Sequence, residues 1–263
     1  MRHISLICKT MVSFIIIGKN EGSKLLNCIK SIYETIEFNS LRGSEVIYID
    51  SNSKDNSIEL ISEYKNVSVY KITSKHNAAL ARNIGAKKSK GTILFFIDGD
   101  MELLPQNFKY FYNLQANKLF HPFISGNFTN FFYDANNNLI SKKNHFTIMQ
   151  DELQATTGGI FLVERRLWES IDGMRTIFRK SQDIDFGLRM SKKHTLLLRR
   201  KNIIANHHTV SYTSKSRFWN DLAKGNFLYR GLLYKKNILN KYIYKYYILK
   251  ELSIGFFLLS ICF

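Results

Sequence analysis

Two aspartates one residue apart, Asp98 and Asp100, follow the apolar run TILFFI in the stretch GTILFFIDGDMEL. The glycine between them lets the backbone bend sharply, so both carboxylates can face one pocket. Carboxylates set in this way suit a hard divalent cation that keeps some waters and takes phosphate oxygens from a substrate. Acidic loop residues are common, so the meaning of the pair depends on the elements that carry it.

Those elements alternate strand-like and helix-like runs. VSFIII (12–17) is a continuous apolar strand, and KLLNCIKSIYET places Leu25, Leu26, Ile29 and Ile32 on one helical face. EVIYID (45–50), a second helix with Ile58, Leu60 and Ile61, the strand VSVYKI (67–72), the helix NAALARNIGAKKS and the strand TILFFI complete the series. Four strands joined by helices predict an α/β fold with a parallel sheet and right-handed crossovers. Ligands of such sheets bind beyond the carboxyl ends of the strands. At those ends stand Gly18, Lys19, Asn20 and Glu21, then Asp50, Ser51 and Asn52, then Asp98 and Asp100. No GxGxxG follows the first strand and no GxxxxGK[ST] occurs, which argues against a dinucleotide oxidoreductase and a P-loop NTPase. After Met101 the periodicity weakens, with strands expected around FISGNFTNFFYD and a helix over SQDIDFGLRMSKK.

The charge is uneven. Of the net +17, a stretch from Gly187 to Glu251 carries +13, fifteen lysines and arginines against two acids. That asymmetry predicts an anionic partner, a nucleic acid or a lipid headgroup surface. No helix-turn-helix, zinc-finger spacing or RNP-like strand is present, so nucleic acid is disfavoured. The tail KYIYKYYILKE, with tyrosines among lysines, precedes the uncharged dodecamer Leu252 to Phe263, well short of the roughly 20 residues needed to cross a bilayer. A peripheral contact with an anionic membrane is expected through this region, with a C-terminal helix packed on the domain or an oligomer contact as the plainer alternative. Three scattered cysteines and no recognisable signal peptide predict a reducing, cytoplasmic setting at the inner face of the membrane.

VSFIIIGKNEG, EVIYIDSNSKDNS, NAALARNIGAKKSKGTILFFIDGD, TGGIFLVERRLWESIDG and SQDIDFGLR stand in the order and approximate spacing of the GT-A-fold glycosyltransferases of family 2, which the chain resembles over residues 12 to 210. The resemblance implies an inverting enzyme that moves one sugar from a nucleotide-sugar donor, a UDP-sugar by family habit, to a glycan or lipid-linked acceptor in cell-surface polysaccharide synthesis. It also implies a Rossmann-like, mostly parallel sheet flanked by helices over residues 1–213, with 214–263 as a basic, aromatic-rich helical extension.

Residue roles follow from the resemblance. Gly18, Asn20 and Glu21 match the loop against the nucleoside, Asp50 the group that accepts from the base, and Arg82 and Asn83 a helix position near base or diphosphate. Asp98 and Asp100 match the DxD motif, in which the second carboxylate holds Mn²⁺ or Mg²⁺ and the first reaches ribose or sugar. His207 or His208 could add a metal ligand. Gly158 and Gly159, after Thr157, would let the backbone approach the donor sugar. In SQDIDFGLR the family usually opens with Glu-Asp; here Gln182 replaces the glutamate and Asp183 is kept as the general base, with Asp185 as second choice or positioning group. The missing glutamate leaves room for a non-catalytic partner subunit as an alternative. A Gln-x-x-Arg-Trp motif is not matched by SRFWN (216–220), which favours transfer of a single sugar over polymerisation.

Overall fold

The apolar runs of the first hundred residues become a parallel half-sheet in the computed structural model of the protein, which describes residues 11–73, 76–134, 136–210, 225 and 228–250. Strands β1 (Val12–Gly18), β2 (Glu45–Asp50), β3 (Val67–Lys71) and β4 (Ile93–Asp98) lie in the order β3-β2-β1-β4, all parallel. Helices α1 (Ser23–Phe38), α2 (Ser57–Leu60) and α3 (Ala78–Lys88) make the crossovers. Side chains alternate across β1. Phe14 and Ile16 pack with Leu25, Ile29 and Ile32 of α1, while Ile15 and Ile17 pack on the side of Ala79 and Ala81 of α3. A strand covered on both faces must be apolar throughout, which is why it reads as an unbroken run.

The second half of the sheet is mixed. β5 (Met101–Leu103) leads through a 3-10 helix (Pro105–Tyr110) and the short pair β6 (Tyr112–Asn113) and β7 (Lys118–Leu119) to the long β8 (Phe123–Tyr133). β9 (Leu139–Asn144), β10 (Glu152–Gln154), β11 (Phe161–Glu164) and helices α4 (Arg165–Glu169) and α5 (Gln182–Lys192) follow, then β12 (Leu197–Val210). β11 joins β4 to β8 antiparallel, and β12 runs parallel to β8 while β5 and β10 pair with it antiparallel. Ten strands of the described residues thus share one sheet. The whole is the α/β arrangement expected.

Two expectations need correction. The second helix is present but is a single turn, with Ile61 just past its end. The fourteen-residue β12 was not foreseen, since Arg199, Arg200 and Lys201 interrupt its apolar pattern.

Beyond the sheet, α6 (Leu228–Asn237) and α7 (Lys241–Lys250) dock on α5. Leu233 and Ile243 close a small core with Phe178 and Leu188, and Asn240 Nδ2 donates to the Leu188 carbonyl at 2.6 Å. No helix of the described residues is long and apolar enough to cross a membrane. The dodecamer Leu252 to Phe263, the SRFWN stretch and the division at 213/214 fall outside the described residues.

Gly187 sets how closely α5 can approach the loop that follows β10. A methyl group on it would stand 2.3 Å from the carbonyl oxygen of Ala155, a backbone atom that a rotamer change cannot move. Gly187→Ala is therefore expected to cost about 1–3 kcal/mol despite better helix propensity. Urea unfolding checks this, and a variant as stable as the parent would show that α5 can shift without loss.

Candidate active site

Parallel pairing aligns the carboxyl ends of β4, β1 and β2, with Ile17 opposite Asp98 and Gly18 opposite Asp50. A cleft of about 640 Å³ opens at this edge. Its floor includes Gly18, Lys19, Glu21, Ser51, Asp98 and Asp100, and Arg82 of α3 joins from one side. The opposite wall is Gly159, His207 and the segment Arg179, Lys180, Ser181, Gln182 and Asp183 that enters α5. The DxD pair, Asp183 and one of the two histidines therefore share one cavity.

Asp98 is held by Arg82. The guanidinium sits 2.7 Å from Asp98 Oδ1 and also donates to the Gly159 carbonyl at 3.1 Å. A side chain on Gly159 would collide with Asp98 Oδ2 at 2.3 Å, so the glycine is required there. Gly158 adopts φ +76°, the left-handed region that glycine enters freely. The turn at Gly99, whose N–H donates to the Ile17 carbonyl at 2.8 Å, carries Asp100 into β5 and beside β12.

There the adjacent histidines part ways, because neighbours on a strand face opposite sides. His207 Nε2 is 3.1 Å from Asp100 Oδ2. Its Nδ1 lies 2.7 Å from Asn130 Oδ1, while Asn130 Nδ2 faces His145 Nδ1 at 3.2 Å. An amide oxygen only accepts, so Nδ1 carries the hydrogen and Nε2 is aimed at Asp100. His208 points away, its Nδ1 2.9 Å from the Tyr133 hydroxyl and its Nε2 3.3 Å from Glu102.

Carboxylates crowd this edge. Burial first, then the charge of Asp100, pushes Glu21 up to about 7. Burial also raises Asp98, with Arg82 opposing and Asp100 adding to the rise. For His207 burial acts to lower the pKa, but the hydrogen bond to Asp100 and the charges of Asp100 and Asp98 outweigh it and the net shift is upward. Among the described residues no group of three or more His, Cys, Asp or Glu is arranged to hold a metal ion. What the cleft does offer is one carboxylate and one imidazole nitrogen side by side in an electronegative corner, a partial donor set that fits Mn²⁺ better than Mg²⁺, whose preference is for oxygen alone.

Several expected residues stand outside the cleft. Asp50 is fully buried, accepting from the Tyr48 hydroxyl at 3.1 Å and the Ser53 N–H at 3.0 Å, so its carboxylate faces inward and Ser51 is the residue presented to the cavity. Asn20, at φ 57°, accepts from the Lys54 N–H at 2.8 Å and ties the β1 loop to the β2 loop. Asn83 clamps the backbone of Met174 through both ends of its amide, at 2.7 Å and 2.9 Å. Asp185 has no solvent exposure and is spent on Arg175 at 3.1 Å, Arg189 at 2.9 Å and Asn237 at 3.1 Å. Two positions beyond Asp183 on a helix is about 200° of rotation, which turns it to the other face.

Sequence reasoning missed His76, Asn77, Arg179 and Lys180 at the rim, and Arg199 beneath the 157–159 loop. Arg199 is fully buried, donating to the Thr157 carbonyl, to Ser125 Oγ at 2.9 Å and to the Gly126 carbonyl at 3.0 Å. Its guanidinium stacks 4.1 Å from the centre of the Phe146 ring, and burial pushes its pKa down to about 9. A charged residue inside an apolar run was the available signal.

Residues 13–181 match the model of the family described as Glycosyl transferase family 2, and the chain belongs to that family. Over 107 residues it is 35% identical to the poly(ribitol-phosphate) beta-N-acetylglucosaminyltransferase TarP of Staphylococcus aureus (strain N315), covering 39% of this chain and 32% of the relative. Over 85 residues it is 34% identical to an uncharacterised glycosyltransferase of Haemophilus influenzae, covering 31% and 30%. The matched segments thus span about a third of these relatives. Among solved structures, S. aureus TarS 1-349 in complex with UDP-GlcNAc superposes with a TM-score of 0.58 at 13% identity, over 76% of this chain and 59% of that one. GalNAc-T7 with UDP, GalNAc and Mn²⁺ gives 0.58 at 15%, over 76% and 44%. At such identities the likeness establishes the GT-A fold.

The crowding has a measurable sign. A carboxyl raised to about 7 in the folded state binds its proton more tightly there than in the unfolded chain, so stability falls as pH rises from about 4.5 through 7. Glu21→Gln removes that penalty. The variant is expected to match the parent near pH 4.5 and to exceed it at pH 8 by about 3 kcal/mol in chelator-treated protein. Urea titrations at both values decide, and a variant weaker at pH 8 would show that Glu21 is not under strain.

Proposed function

We propose that the chain is an inverting, metal-dependent glycosyltransferase that moves one sugar from a nucleoside-diphosphate donor, UDP-linked, to a glycan or lipid-linked acceptor of cell-surface polysaccharide. One observation carries this reading: Asp98, Asp100, His207 and Asp183 line a single cleft at the carboxyl edge of the parallel strands. The names of the relatives support donor and acceptor class, since TarS was solved with UDP-GlcNAc, GalNAc-T7 with UDP and Mn²⁺, and TarP is named for poly(ribitol-phosphate).

In this reading the diphosphate lies between the acidic corner and the cations Lys19, Arg179 and Lys180. Asp100 and His207 Nε2 would hold Mn²⁺ or Mg²⁺. Bound there, the ion would supply positive charge to the diphosphate leaving group. Arg82 fixes Asp98 toward the ribose or sugar hydroxyls, and the bare backbone of Gly159 leaves the sugar room beside it. Asp50 acts through the loop it anchors, with Ser51 at the base. Asp183, in the first turn of α5 where the helix end favours negative charge, takes the proton from the acceptor hydroxyl as that oxygen attacks the anomeric carbon from the side opposite the diphosphate, which inverts the centre. Gln182 beside it adds no second carboxylate to compete for that proton. Asp185 holds α5 from behind. We place the transferase unit at residues 1–213 and an extension at 214–263 that holds it at the inner face of the cell membrane.

UDP with Mn²⁺ is expected to raise the melting temperature more than UDP alone, and Asp100→Asn to remove the Mn²⁺ increment. Asp183→Asn should keep the shift yet lose about 10²–10⁴-fold in UDP release across a panel of nucleotide sugars. Turnover retained by Asp183→Asn takes the proton transfer away from it. No shift with any nucleoside diphosphate and Mn²⁺ removes the enzyme reading altogether.

A further inference from the structure

The turn joining α6 to α7 leaves two large apolar side chains in solvent, Leu239 at 91% exposure and Ile238 at 58%, with Tyr244 at 49% on the next turn of α7. The Tyr244 hydroxyl donates to the Ile238 carbonyl at 2.6 Å, so the turn is held in shape with its apolar tip outward. Around it stand Lys235, Lys236, Lys241 and Lys245, all exposed, and neither α6 nor α7 contains an acidic residue. Beside the turn, a groove of about 690 Å³ runs between the 170–177 loop, α5 and α6. Lys192, Lys193 and Lys236 line it together with Arg175 and Arg189, against the single exposed acid Asp172. The two arginines already share the buried Asp185, whereas no carboxylate of the described residues lies within ion-pair distance of the three lysines.

Lysines in the last turns of α5 and α6 have an ordinary reason to be there, since they complement helix dipoles. That reason does not extend to a bare leucine and isoleucine at the apex. Apolar tips inside a lysine collar match the boundary between headgroups and acyl chains of an anionic leaflet, where the tips gain by burial and each cation by proximity to lipid phosphate.

We propose that the α6–α7 turn and its basic groove form the contact site for an anionic lipid surface, Ile238 and Leu239 entering the acyl boundary and Lys192, Lys193 and Lys236 meeting headgroup phosphates. This deepens the membrane attachment put forward above and assigns it to described residues. The same 170–181 segment that walls the groove goes on, through Arg179 and Lys180, to wall the donor cleft. Docking here sets the cleft beside the leaflet, where a lipid-linked acceptor would arrive.

The test is flotation of the full chain with phosphatidylcholine vesicles, with and without phosphatidylglycerol. The parent is expected to float only with the anionic vesicles. Ile238→Ser combined with Leu239→Ser should weaken that binding about tenfold or more, and Lys192→Ala with Lys193→Ala about fivefold per lysine. Both variants should keep the UDP and Mn²⁺ thermal shift, which reports the transferase reading separately and shows that they fold. Undiminished flotation of the Ile238/Leu239 variant overturns the site even if the parent binds. Failure of the parent to bind anionic vesicles overturns the site and the membrane attachment together. A parent dimer in light scattering that the Ile238/Leu239 variant dissolves makes the patch a contact between copies and overturns the proposal.

Discussion

Three carboxylates, Glu21, Asp98 and Asp100, are brought to one corner by the alignment of parallel strands, and their mutual repulsion is the constraint around which the site is built. Each sits at the end of an apolar strand or in the loop just after it, and burial penalises the charge of Glu21 and Asp98. Such a corner is stable only if positive charge is supplied. Arg82 supplies one part from within, His207 a second when protonated, and the remainder is left to whatever enters. A fold that keeps this deficit holds an electronegative corner at the rim of the cleft.

The surroundings keep the corner rigid without neutralising it. Arg199, a buried cation, makes its hydrogen bonds to neutral groups, two carbonyls, a serine hydroxyl and the Gln154 side-chain oxygen, so its charge is not cancelled locally and reaches Asp183 through the interior. Asp185 is treated in the opposite way, surrounded by Arg175, Arg189 and Asn237 until nothing is left for solvent. One aspartate of the same helical turn is open to the cleft and the other is consumed in attaching that helix to its neighbours. The difference between them is a rotation about the helix axis.

Much of this was legible in the sequence, for reasons that can be named. Strands buried on both faces show as unbroken apolar runs, so β1, β2 and β4 were plain, and the polar residues at their ends marked the cleft. The turn chemistry of DGD and the order of the five motifs did the rest. What stayed hidden depends on direction rather than composition. Whether Asp50 or Ser51 faces the cavity turns on the pleat at the last residue of β2, and the choice between His207 and His208 cannot be made until β12 is known to be a strand. That strand was concealed by Arg199, whose charge reads as surface and whose position is interior. The second helix was legible at Ile58 and Leu60, but its length of one turn was not.

β12 carries His207 near one end and Arg199 near the other, and its pairing with β8 slips twice between them, at Ile203 and again before Ala205. The segment Lys201 to Ile204 between them meets β8 only at Ile203 and is held from other sides, by Asp151, Asn107 and the Leu104 N–H, so the imidazole at the cleft and the guanidinium beneath the glycine loop are positioned by separate stretches of one strand.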